Sequence, residues 1–95
     1  MAAEWITDNE AGFDEWCKAH PDGFIVNANY KPIASYLVLH KVGCPSFKGR
    51  AGFTGPEYSK FCSTSIDGLL AAVRNRTKAK AFSSICSMCC PLTRG

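Results

Sequence analysis

The 95-residue sequence predicts an α+β fold: a small, three-stranded, mostly antiparallel sheet packed with two helices in the order α-β-β-β-α, closed by a metal-bound C-terminal tail. Three observations predict it. Apolar residues recur at helical spacing near residues 8–19 and again near 65–79. Three β-prone runs lie between these stretches. Five of the six cysteines lie from residue 44 onward, where a tail pair can reach back to thiols in the middle of the chain.

The first helix is expected over about 8–19. Thr7 and Glu10 have capping-box spacing, and Phe13, Trp16, Cys17 and His20 form the buried stripe. Pro21 forbids continuation, and Asp22-Gly23 makes the turn. His20 reads as a group at the helix end, where an imidazolium suits the dipole, and Cys17 reads as a core thiol. Phe24-Ile25-Val26-Asn27-Ala28-Asn29 and Ser35-Tyr36-Leu37-Val38-Leu39-His40 are close enough to pair as an antiparallel hairpin. The second run lacks clean alternation, which implies cover on both faces. Residues 41–56 are broken by glycine and proline and read as a long loop. Residues 58–63 alternate as a third strand. Thr64 and Asp67 then stand at the N-cap and N3 positions of a helix over about 65–79, with Ile66, Leu69, Leu70 and Val73 as its core stripe. The length is that of one domain, residues 1–95, with 92–95 expected to fray.

Composition narrows the function classes. An apolar fraction of 46% and a charged fraction of 20% describe a folding chain, not a disordered one. Residues 1–8 have neither a basic n-region nor an apolar h-region, so no signal peptide and a cytoplasmic setting are expected. Tyr36-Leu37-Val38-Leu39 is far short of the roughly 20 residues that span a bilayer, so no membrane partner is expected. Cytosolic cysteine clusters bind metal or do chemistry more often than they cross-link. Charge is bipolar: residues 1–30 carry six acidic residues against Lys18, a formal −5, and residues 31–95 carry ten basic against two acidic, a formal +8. Such a field can steer a polyanion to one side.

Cys86-x2-Cys89 has the spacing of a metal knuckle, and Cys44 and Cys62 sit at the ends of neighbouring strands. The expected ligand set is Cys44, Cys62, Cys86 and Cys89 around Zn2+. Two alternatives stay open. His40-x3-Cys44 can supply a nitrogen that displaces one of the mid-chain thiols, and Cys90 can shift the register of the tail pair. An iron–sulfur cluster uses the same ligands, but the chain lacks a regular C-x2-C-x2-C run. No pairing of histidine and cysteine is singled out for catalysis, and a CxxC five residues from the C-terminus is badly placed for a thioredoxin-like motif, so no enzyme is expected. Lys48, Arg50, Arg74, Arg76, Lys78 and Lys80 are the candidate phosphate contacts, with Phe47, Phe53 and Tyr58 available to stack on bases of DNA or RNA. The competing expectation is a protein-binding adaptor or inhibitor of a host or defence protein, with a purely structural cysteine site.

His20-Pro21-Asp22-Gly23-Phe24-Ile25-Val26-Asn27, then Tyr36-Leu37-Val38-Leu39-His40 with Cys44, then Lys60-Phe61-Cys62, then Cys86-x2-Cys89-x-Pro91 resembles a small uncharacterised cysteine-containing module of bacterial and phage proteins, associated with restriction and other DNA-linked functions. The match covers about residues 16–91, and Cys90 departs from it. The resemblance implies that Cys44, Cys62, Cys86 and Cys89 belong together, and it implies a bacterial or phage setting with DNA as partner.

Overall fold

A computed structural model describes residues 3–47 and 52–87. At its centre is β2 (Phe24–Asn29), flanked by β3 (Leu37–Lys41) on one side and β4 (Tyr58–Ser63) on the other, both antiparallel to it. Two short strands complete the sheet. β1 (Glu4–Ile6) pairs antiparallel with β4, and β5 (Ser84–Ile85) pairs parallel with β3. The order across the sheet is β1-β4-β2-β3-β5, with helix α1 (Glu10–Ala19) after β1 and helix α2 (Ile66–Thr77) between β4 and β5.

This corrects the expected architecture. The α+β class stands, but the sheet has five strands and is mixed, and the chain order is β-α-β-β-β-α-β. The two extra strands are three and two residues long, too short to carry a period of two. Their ladders are specified by distant partners: Trp5 lies opposite Phe61, and Leu39 opposite Ile85. The expected tail closure and the expected fraying of 92–95 fall on residues 88–95, outside the described residues.

Because side chains alternate along a strand, the register sorts the sheet into two faces. Leu39, Val26, Phe61 and Trp5 form one cross-strand row on the first face. Helix α2 covers this face with Leu69 and Val73, and Ala28 and Leu37 complete the buried cluster. On the second face the rows are His40–Ile25–Cys62–Glu4 and Val38–Asn27–Lys60–Ile6. Helix α1 covers part of it with Phe13 and Trp16, and Phe47 and Phe53 pack alongside.

Both helices start one to two residues later than the spacing predicts. Asn9, not Thr7, caps α1 by accepting from the Gly12 amide at 3.0 Å. Ser65, not Thr64, caps α2 by accepting from the Gly68 amide at 3.1 Å. A side chain caps from the residue just before the first helical turn, and a three-residue spacing recurs at adjacent positions. At the other end of α1, His20 donates through Nδ1 to the Trp16 carbonyl at 2.9 Å and stacks on the Trp16 ring. Gly23 is required here: a Cβ at that position would stand 2.6 Å from the indole of Trp16.

A mid-chain loop is tied to the start of α1. Thr54 is fully buried; its amide and its hydroxyl both donate to Glu10 Oε1, at 2.6 and 2.9 Å. Its Oγ1 accepts from the Asn9 amide at 2.9 Å, and its carbonyl from the Asp8 amide at 2.5 Å. Glu10 therefore spends its carboxylate on this loop instead of the reciprocal capping bond its spacing suggests.

Candidate metal centre

Three elements bring His40, Cys44 and Cys86 together. His40 is in β3, 6% exposed, on the second face of the sheet. The chain then reverses in a turn closed by the Cys44 amide donating to the Lys41 carbonyl at 3.2 Å. Gly43 sits in this turn at φ +83°, where a side chain would be strained. The turn leaves Cys44 at the head of the 3-10 turn Pro45–Phe47, its thiol buried beside the strand it has just left. Cys86 arrives from the far end of the chain. The parallel β3–β5 pairing continues one residue past β5, so the Cys86 amide donates to the Leu39 carbonyl at 2.9 Å and Cys86 lies next to His40. Ser83 anchors the other end of β5, accepting from the Leu37 amide at 2.7 Å and donating to the Leu37 carbonyl at 3.1 Å.

The ligand atoms of the three residues all lie within 4.8 Å of one another. The sulfurs of Cys44 and Cys86 are 3.6 Å apart, too far for a disulfide bond of about 2.05 Å. It is close to the roughly 3.8 Å that separates two thiolates each about 2.3 Å from one tetrahedral ion. The imidazole is held by its contact with the Phe47 ring, at 4.9 Å between centroids. One nitrogen and two soft sulfurs on a buried site suit a divalent ion of the zinc type better than a hard, oxygen-seeking cation. The cluster is compatible with a metal site.

Of the four expected ligands, the structure brings Cys44 and Cys86 together and adds His40. It does not bring Cys62 to them. Cys62 shares the sheet face with His40, but Ile25 stands between them in the cross-strand row. Two strand spacings amount to about 9.6 Å, beyond the reach of one ion. Cys62 packs instead with Phe13, Trp16, Ile25 and Cys17. Burial pushes its thiol pKa up, and the neighbouring Cys17 and Glu4 add to the shift. That is the setting of a small apolar side chain, and Cys17 shares it: burial first, then Asp14, pushes its thiol up to about 11. Cys89 and Cys90 lie outside the described residues.

Arg74 and Arg76 lie in the last turn of α2, and Lys78 caps it in the left-handed region at φ 65°. Arg74, Arg76, Lys78 and Lys80 are all exposed. Arg76 places its guanidinium 3.8 Å from the Trp5 ring centroid, a cation–π contact that ties α2 to β1. Lys48 and Arg50 lie outside the described residues. No described helix is long and apolar enough to cross a membrane.

Lys60, which the sequence alone offers as a further phosphate contact, instead lies mid-strand in β4 and is 2% exposed. Its ammonium donates to Asn27 Oδ1 at 2.6 Å and to the Phe53 carbonyl at 2.5 Å, with the Phe53 and Tyr58 rings at 5.5 and 5.6 Å. Asn27 faces it across the β2–β4 pair, a register that only the fold reveals. No protein-family model, curated protein or solved structure matches the chain.

Proposed function

We propose that this chain is a small, non-catalytic binding module whose sheet edge is fastened by one zinc ion. His40, Cys44 and Cys86 are three of its ligands and Cys89 is the fourth. The convergence of the first three on one buried point carries this reading. Cys89 enters through its spacing from Cys86, the knuckle spacing of structural zinc sites. A set of one histidine and three cysteines fills all four positions of a tetrahedral ion, leaving none for a reacting water, so the role of the ion is structural. It fastens three segments, the end of β3, the turn after it and the residue that follows β5.

Metal analysis of the purified protein is expected to find one zinc equivalent. His40→Ala and Cys44→Ser each abolish it and lower stability by about 3 kcal/mol or more, the contribution of a ligand held far above its Kd. Cys62→Ser leaves the zinc in place. Metal-free, fully folded protein with reactive thiols at Cys44 and Cys86 would end the reading.

The partner we propose is nucleic acid, approached by the C-terminal end of α2. The support is the exposed group Arg74, Lys78 and Lys80, in the half of the chain that carries the positive charge. The resemblance to modules of bacteria and phages leans toward DNA. Binding is expected to weaken steeply with salt and to drop further when Arg74 and Lys78 both become Glu. A protein retained at low salt by neither DNA nor RNA rejects the partner and leaves the zinc reading intact.

A further inference from the structure

A cleft of about 630 Å³ opens on the second face of the sheet, within the usual range for small-molecule sites. Its floor is the cross-strand row Val38–Asn27–Lys60. Tyr36 and Tyr58 form one wall, their ring centroids 6.2 Å apart. Phe47 and Phe53 form the other, at 5.3 Å. The loop that carries Thr54 roofs it. Flat, polarisable walls at both ends favour a ring as occupant.

The polar floor has a direction. Lys60 can only donate, so the amide of Asn27 must turn its oxygen to the ammonium and its nitrogen away. That nitrogen donates to the Tyr36 hydroxyl at 3.0 Å. Each link passes donation onward, from ammonium to amide to phenol. Tyr36 receives one hydrogen bond and has its own hydrogen to give to an occupant. A buried positive charge at the head of the relay polarises every link, and the effect is strong because Lys60 is withdrawn from water. Glu57, the one carboxylate on the described lining, is exposed on the roof, where solvent screens it.

We propose that this cleft binds a small planar aromatic carboxylate. The ring lies between the tyrosine and phenylalanine walls, and the carboxylate accepts from the Tyr36 hydroxyl under the field of Lys60. The cleft borders the metal centre, since His40 also lines it and its imidazole touches the Phe47 wall, but no group of the relay from Lys60 to Tyr36 is a candidate metal ligand.

The test is a titration of the isotope-labelled full chain, as purified and with its metal content recorded, against benzoate, nicotinate and indole-3-carboxylate, each paired with its neutral carboxamide. Amide shifts are expected at Asn27, Tyr36, Phe53 and Lys60. Each carboxamide binds about tenfold more weakly than its acid, and Tyr36→Phe costs the acids about tenfold while leaving the carboxamides nearly unchanged. Tyr36 is half-exposed, so Tyr36→Phe keeps the fold where a Lys60 variant is more disruptive. Absence of shifts at these residues with all three acids, or equal affinity for acid and carboxamide, overturns the proposal. Zinc stoichiometry is measured on the same sample, so failure of this proposal and failure of the zinc reading are told apart.

Discussion

The two faces of the sheet are built from the same strands and could hardly differ more. Toward α2, Val26, Ala28, Leu37, Leu39 and Phe61 meet Leu69 and Val73 in an all-apolar contact that needs no polar partners. One residue along each strand, on the other face, stand His40, Asn27 and Lys60, with Ile25 and Cys62 among them. The first face can hold the fold together by burial alone. This frees the second to carry, beside its row of aromatic rings, a buried histidine and a buried ammonium, polar groups that must each be given partners. The difference is an economy of small domains: a single sheet, covered on both sides, keeps its stability and its chemistry on opposite surfaces of one backbone.

That division can be broken from either side. Phe61 is 1% exposed and central to the first face, so Phe61→Ala is expected to cost about 3–5 kcal/mol in urea unfolding. Metal stoichiometry should be unchanged in the fraction that remains folded; loss of metal with full retention of stability would mean that the faces are not separable. Lys60→Met removes the charge and keeps the length. It leaves Asn27 Oδ1 and the Phe53 carbonyl without their donor, for an expected loss of about 1–3 kcal/mol. A variant as stable as the parent would show that the ammonium is a burden the aromatic face carries for another purpose. The smallest effect is one of pH. Cys17 is raised from the ordinary 9.0 to about 11, and Cys62 is raised as well, so the folded state holds these protons more tightly than the unfolded chain. Their contribution is present at neutral pH and is lost as pH rises from about 9 through about 11. The urea midpoint should fall across that window, and less so when both residues are alanine.

Much of the frame was legible. Residues 24–29 and 58–63 are strands over the range their composition predicts, and both helices lie within two residues of their predicted starts. Cys44 and Cys86 stood out because thiols on a loop and near the tail have no packing reason to be there. What the sequence could not carry was strand order. With β4 placed on the far side of β2 from β3, Cys62 moves two strands from His40, and nothing in local periodicity records on which side a strand docks. His40 was visible through its spacing from Cys44, but a nitrogen and a sulfur four residues apart become neighbours only when a turn folds one back over the other. Lys60 was misjudged for the opposite reason. A charged residue in an alternating strand reads as solvent-facing, and only the fold shows the amide, carbonyl and rings that enclose it.

The bonds around Thr54 make the N-terminus of α1 and the roof of the cleft a single mechanical part, although 44 residues separate Glu10 from Thr54. A loop held by four hydrogen bonds to one helical end does not flap on its own. Lifting the roof therefore means breaking bonds to the first turn of α1, besides those from Lys60 to the Phe53 carbonyl and from the Tyr30 amide to the Glu57 carbonyl, so that turn acts as one latch of a door hung elsewhere in the chain.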